Sequence, residues 1–340
     1  MARYVAIGEQ SNLATEATPD KYIRIASVET SPESGNIYAE LVDTRFDEPP
    51  IAGAFRVSGS IVLPVELENI GYLLKALLGN VSSSTIDSTA SIHEHIISPI
   101  DFGGSLPAYT IAIGKDNVTD ERLVGAVFNR LTLRAVAKEL LSATFEFGGV
   151  KSKTTSLLTP SLPSPDFVPY YKGDVIVDGS ADGNIEAFTI TVSNGVNYDD
   201  AYRITSTNGR LPKEFPIGAF KVEVEFDARF VDTTYIEAFY GATDATEPQE
   251  SIKTLSVKLS FVGKTLELSA GGTTHQALDI YLPKVIVDSV SVPIRDRGRL
   301  VLSASGTAVK GTASVTKYDG STVDVEAPIA IYLRNQKSSL

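Results

Sequence analysis

The sequence predicts a mainly β protein made of two tandem antiparallel β-sandwich or barrel domains, each with one short α-helix. Three observations carry this reading: apolar and polar residues alternate over many short runs, turn dipeptides separate those runs, and a landmark repeats at domain spacing. Gly53-Ala54-Phe55-Arg56-Val57 returns as Gly218-Ala219-Phe220-Lys221-Val222, 165 residues later. Each copy leads into a β-patterned run and then a short amphipathic helix closed by glycine. Upstream, Gly35-Asn36-Ile37-Tyr38-Ala39-Glu40 is set against Gly183-Asn184-Ile185-Glu186-Ala187-Phe188, in the same order though at another spacing. Solenoid repeats run about 20 to 50 residues, so this longer period reads as a duplicated whole domain.

In 221–227, Val222, Val224 and Phe226 alternate with Glu223, Glu225 and Asp227, the pattern of a strand with one wet face. The same alternation predicts strands at 22–28, 36–42, 54–68, 108–113, 127–133, 141–147, 254–261, 284–292, 300–305 and 323–333. Ser34-Gly35, Gly103-Gly104, Asp182-Gly183, Asn208-Gly209, Gly271-Gly272 and Asp319-Gly320 supply turns. A helix is expected over 70–78, with Asn69 as cap, Gly79 as stop and Ile70, Leu73, Leu74, Leu77 and Leu78 on one stripe. Its counterpart spans 232–241, with Thr234 and Glu237 at capping-box spacing and Ile236, Phe239 and Tyr240 facing inward. A third short helix is expected at 135–140, with only a loop as its counterpart at 294–299.

The expected layout is an N-terminal arm (1–21), a first β domain (22–157), a proline-rich linker (158–169), a second β domain (170–334) and a tail (335–340). Pro160, Pro163, Pro165 and Pro169 stiffen the linker in an extended form. Within the first domain, 80–107 reads as a long irregular loop around a strand-like core, and loops of that length usually serve a function.

A chain of 340 residues can bury two cores. Its net charge of −12 argues against a protein that grips nucleic acid by its phosphates, which needs a basic face. Cysteine is absent, which removes disulfides, thiolate nucleophiles and cysteine zinc sites. No signal-peptide pattern or long apolar run is present, so synthesis in a host cytoplasm without a membrane span is expected.

Chemistry-bearing motifs are sparse. His93 and His95 would share one face of a strand and could offer two metal ligands, but two strand histidines without further partners fit better. Asp178 to Asn184 imitates half a calcium loop and reads better as two Asp-Gly turns. Gly263-Lys264-Thr265 lacks the first glycine of a phosphate loop, and no nucleophile elbow occurs. No catalytic, cofactor or metal site is expected, and the protein is read as a non-enzyme.

The segments Ile92-His93-Glu94-His95-Ile96-Ile97-Ser98-Pro99 and Ser105-Leu106-Pro107-Ala108-Tyr109-Thr110-Ile111 resemble a stretch of the major tail tube proteins of long-tailed bacteriophages. Val127-Phe128-Asn129-Arg130-Leu131-Thr132-Leu133 and the run from Glu139 to Gly149 fit the same family, and with Gly59-Ser60 and the 71–79 helix the resemblance covers about 53–152. It implies a virion protein polymerising as stacked rings into a tube that conducts DNA. Two domains per chain then imply trimeric, pseudo-hexameric rings. It further implies a tape-measure protein and a tail terminator as partners.

On that reading, Glu223, Glu225 and Asp227 are the candidate acidic lumen face. His93, His95, Phe102 and Leu106 are candidates for reaching the next ring, and Pro160, Pro163 and Pro165 for clasping a neighbour. The alternatives are a tandem β-sandwich binding module, such as an adhesin or carbohydrate-binding protein, and the inner tube of a contractile tail.

Overall fold

The computed structural model describes residues 3–101, 103–294 and 298–340. The first half contains β1 (Tyr4–Gln10), β2 (Lys21–Ile23), β3 (Ser27–Ser34), β4 (Phe55–Pro64), α1 (Ile70–Leu78), β5 (Gly79–Asp87), β6 (Ile92–Pro99), β7 (Ala108–Lys115), β8 (Thr119–Val136), β9 (Ser142–Gly149) and β10 (Lys151–Thr155). The second contains β11 (Gly173–Val177), β12 (Ser180–Ala181), β13 (Ile185–Ser193), β14 (Lys221–Arg229), α2 (Thr234–Tyr240), β15 (Thr254–Glu267), β16 (Thr273–Ser291), β17 (Val301–Val309), β18 (Gly311–Thr316), β19 (Thr322–Ala327) and β20 (Ala330–Asn335). All named strand pairings are antiparallel, as the alternation predicts.

Two long strands organise the chain. The start of β8 pairs with β7 and β10, then the strand bends, and its end pairs with β9 and β13. β16 does the same, pairing first with β15 and β20 and then with β17. The bends match residue for residue. Register slips between Phe128 and Arg130 in β8 and between Val287 and Ser289 in β16, leaving Asn129 and Asp288 as the bulged residues. At the first bend Gly125 has φ 72, and a Cβ there would lie 2.5 Å from the Leu13 carbonyl oxygen. Bulges sharpen twist and turn strands between sheets, and the two halves carry theirs at matching places.

The repeat also corrects one expectation. At Gly53 a Cβ would meet the Gly35 carbonyl oxygen at 1.8 Å, and at Gly218 one would meet the Gly195 carbonyl oxygen at 2.5 Å. The counterpart of Gly35 is therefore Gly195, at the end of β13, whereas Gly183 precedes that strand. The Gly53 and Gly218 landmark holds because backbone meets backbone there; the Gly35 and Gly183 likeness is chance.

The core is continuous across both halves. Phe128 is fully buried and meets Phe145 edge-on, with ring centroids 6.1 Å apart. Each such ring stabilises the fold by about 1.5–3 kcal/mol through burial alone. The helix α1 buries Ile70, Leu73, Leu74, Leu77 and Leu78 as its stripe predicts. Its Asn69 makes no capping bond and turns to Glu66 instead. In α2 the buried residues are Tyr235 and Ala238, while Phe239 is 43% exposed. Thr233 occupies the cap and bonds Glu237, one residue before the expected position.

Other differences have physical reasons. Tyr4–Gln10 is no arm: it is a strand between β2 and β7, buried on both faces, so it lacks the alternation that marks a half-wet strand. Segment 36–42 alternates but finds no partner strand beyond one Ile37 to Ile51 bridge, and it stays exposed. No helix forms at 135–140, where Lys138 has φ 74 and Leu140 bridges Pro169. Half of the 294–299 loop, residues 295–297, lies outside the described residues. The 158–169 segment is tied to the first half: Arg24 Nε donates to Pro163 O at 2.6 Å, and Val168 N–H donates to Val65 O at 3.1 Å.

Gly148 faces Tyr198, whose hydroxyl donates to Val127 O at 3.0 Å, and a Cβ at Gly148 would lie 2.4 Å from that ring. Gly148→Ala is expected to lower stability by about 1–3 kcal/mol through overpacking, measured as an earlier urea midpoint. Gly183→Ala, with open space around its Cβ, is the control expected to leave the midpoint in place.

Candidate functional site

The second half is joined to the first by backbone. β13 runs along the end of β8 with Arg130 opposite Ser193, Leu131 opposite Val192 and Leu133 opposite Ile190. This pairing makes one continuous sheet in the order β3, β4, β9, β8, β13, β14, β17, β16. Its outermost strands are β3 and the end of β16, so eight strands leave two open edges.

One face of this sheet packs on the core and the other is wet. Val62, Thr144, Thr132, Thr191, Glu223 and Thr307 lie abreast on six neighbouring strands. Beside them stand Ser58, Ser60, Thr189, Ser193, Ser303 and Ser305. Glu223, Glu225 and Asp227 project from this face, flanked by the hydroxyls of β13 and β17, and Ser303 Oγ donates to Asp227 at 2.6 Å. Lys221 and Arg229 bracket the acidic trio on the same strand, and Arg130 and Arg134 stand on β8. The face is short, hydroxyl-rich and mixed in charge, with no cationic stripe of the kind that holds phosphates.

The in-chain joint is capped by the turn after β13. Asn194 N–H donates to Asn129 O at 2.9 Å, and Val196 N–H donates to Asn129 Oδ1 at 2.9 Å. Val196 also closes over Leu106 and Ala108. Arg56 pairs with Glu33 at 2.6 Å and with Asp199 at 2.7 Å. Its counterpart Lys221 makes no ion pair among the described residues, so that salt bridge is not repeated.

The candidates for reaching another ring lie elsewhere than expected. The stretch 80–107 is largely the hairpin of β5 and β6, and β6 pairs with β20 of the second half, His95 standing opposite Leu333. His95 is fully buried. Ser83 Oγ lies 2.7 Å from its Nδ1, while Nε2 lies 2.9 Å from Lys337 O and 3.2 Å from Asn335 Oδ1. Both oxygens on the Nε2 side accept, which assigns the neutral ring with its proton on Nε2. The ring is therefore committed within its own chain, with no nitrogen free for a metal. His93 Nδ1 sits 3.1 Å from Thr85 Oγ1, and no cluster of three metal-binding side chains occurs among the described residues. Leu106 is buried under Val196, and Phe102 lies outside the described residues. Pro160 and Pro165 are exposed and Pro163 is half-buried.

Sequence reasoning missed the polar network beneath the hairpin. Glu94 is buried and accepts from Ser84 Oγ at 2.8 Å, Tyr318 N–H at 3.0 Å and Tyr332 Oη at 3.1 Å. Burial would raise its pKa, but these donors together with Lys317 outweigh burial and hold it down. Asp87, at the hairpin tip, accepts from Ser269 Oγ and Ser269 N–H, and with the Ala90 and Thr89 N–H groups this draws its pKa to about 2. Asp178 and Asp182 serve turns, as read: Asp178 binds Ser256 and Asp182 binds Asn184 N–H.

A family model described as phage tail tube protein matches residues 3–277. The chain belongs to the phage tail tube protein family. No curated protein matches the chain. Membership makes it a structural component of the virion tail that assembles with copies of itself. The tandem binding-module reading gives way to it. No helix among the described residues is long and apolar enough to cross a membrane.

Burial holds the His95 pKa below its ordinary 6.5, against the pull of Asn335 and Lys337. Stability gained from the buried neutral ring is complete above pH 6.5 and is lost as pH falls through the lowered folded value. The unfolding midpoint is expected to fall on acidification from about pH 7 to 5. His95→Gln is expected to flatten that dependence, read by thermal melts across pH. Asp87 titrates in a separate window, its stabilisation persisting to about pH 4 and fading toward pH 2.

Proposed function

We propose that the chain closes into a trimeric ring by pairing the free end of β16 with β3 of the next copy. These rings stack into the tube through which DNA leaves a long-tailed phage particle. The carrying observation is the β8 to β13 joint, because it is the same contact already made once inside the chain. Replacing each strand by its repeat, β16 for β8 and β3 for β13, sets Ser289 opposite Glu33 and Val290 opposite Pro32.

The space left at each place supports this. At the in-chain joint, the cavity lined by Gly173, Asp174, Phe188 and the end of β8 holds about 250 Å³. The corresponding trough along β3, lined by Arg3, Tyr4, Val28 and Ser58, is open and holds about 1470 Å³. The β3 side of that trough has room for an added strand. Unpaired sheet edges invite strand addition, and a heterologous contact of this kind closes into a ring when the rotation permits.

Width decides the number of copies. Strands about 4.8 Å apart and tilted about 40° put facing backbones roughly 32 Å apart in a 16-strand barrel and roughly 48 Å apart in a 24-strand barrel. Two copies would leave little room for a hydrated duplex once side chains are added. Three copies leave ample room, with the wet face inward. Its hydroxyls and balanced charges would let phosphates pass without capture. A tape-measure protein inside the tube and a terminator at its end are the partners this reading brings with it.

Alternation along the ladder points the Val290 N–H toward the open edge, as the Leu131 N–H points toward β13. Val290→Pro is therefore expected to fold normally and to abolish rings. Negative-stain images and solution mass of the purified protein over a concentration series check this. Wild-type rings or tubes built in threes, absent in the variant, are the expected result. Variant rings like the wild type's would overturn the edge pairing.

A further inference from the structure

We infer that the turn Ser34 to Tyr38 is a latent copy of the turn Asn194 to Tyr198, and that it docks on the bulged Asp288 of a second copy of this chain. The inference deepens the ring reading and rests on it. In the chain itself, Asn129 at the β8 bulge receives two N–H groups from the second half, from Asn194 on its carbonyl oxygen and from Val196 on its side chain. Asp288 is the bulged residue at the matching place in β16. One of its oxygens, Oδ2, accepts from Thr307 Oγ1 at 2.6 Å. Its Oδ1 remains to take the Asn36 N–H, and its carbonyl oxygen to take the Ser34 N–H.

The two turns now differ in conformation. Gly195 has φ 58, in the left-handed region, while Gly35 lies outside that region. The Asn36 N–H instead folds back on Ser34 O at 3.0 Å. An exposed donor has thus closed on its own chain, and docking exchanges that short loop for a carboxylate. A glycine at 35 makes the exchange cheap, because only glycine enters the left-handed region without steric cost.

Exposure on both sides agrees. Tyr38, the counterpart of Tyr198, is 58% exposed, and its ring would settle near Thr307 with its hydroxyl toward Ile286 O, as Tyr198 reaches Val127 O. Thr307 stands where the first half has Gly148, so the Tyr38 ring sits farther from the sheet than Tyr198 does. On the receiving side, Leu106 is 8% exposed under Val196, whereas its counterpart Ile252 is 70% exposed. The same apolar position is covered once within the chain and left open once for the neighbour.

The test compares wild type with Gly35→Ala, Asp288→Ala and Asp288→Asn. A Cβ at Gly35 in its present conformation comes no closer than 3.4 Å to any atom, so Gly35→Ala is expected to keep the wild-type unfolding midpoint. It is also expected to raise the concentration needed for ring formation by about tenfold or more, since alanine resists the left-handed turn. Asp288→Ala is expected to raise it similarly. The double variant adds less than the sum, because the two changes touch one contact. Asp288→Asn, which recreates the residue of the in-chain joint, is expected to assemble like wild type. Assembly by mass photometry at wild-type concentration for both alanine variants would overturn the contact while leaving the ring. A wild-type chain that never associates at any concentration would remove the ring reading and this contact together.

Discussion

The constraint on which the rest of this structure depends is that every strand edge must find hydrogen-bond partners. Backbone N–H and C=O groups cannot be left bare in a packed wall. Each half builds a four-strand layer with two edges, and one edge of each is consumed at the β8 to β13 joint. Other features serve that joint. The Asn129 bulge aims a carbonyl and an amide at the incoming turn, and Gly148 clears room for Tyr198. Pro32, on the open strand, lacks the N–H that would otherwise advertise an edge to any passing strand. An edge blunted this way is weak toward strangers and can still accept from a matched neighbour.

The paired bends of β8 and β16 match in geometry where their residues differ. Asn129 and Asp288 share only a short polar side chain, and Gly125 has Lys284 as its counterpart. What persists is the count of residues between register slips, because that count decides which face every later side chain takes. Gly306 stands where the first half has Phe147, and Val224 where it has Gly59, so large and small have traded strands while the layer keeps its thickness.

Alternating strands and the two helices were legible because one wet face imposes a period. β1 was not legible, since Val5, Ala6 and Ile7 are all buried and no period survives. Segment 36–42 misled in the opposite way, because alternation records what a strand could do and not whether a partner is at hand. The β5 strand, Ser82-Ser83-Ser84-Thr85, read as loop by composition. Its hydroxyls in fact donate to His95 Nδ1 and to Glu94. For the candidate site, the acidic trio could be placed on a wet face from sequence. The joint that defines the site could not, because strand pairing across 51 to 63 residues leaves no local signal.

The hairpin of β5 and β6 belongs to the first half by sequence and to the second by pairing, with Asn335 opposite His93. A chain leaving the ribosome therefore carries an unfinished sheet until β20 has emerged. β20 is the strand that closes it, and contacts this distant in sequence are slow to form. Until then the outer edge of the β6 hairpin is bare, and in the folded chain β20 lies between it and β16.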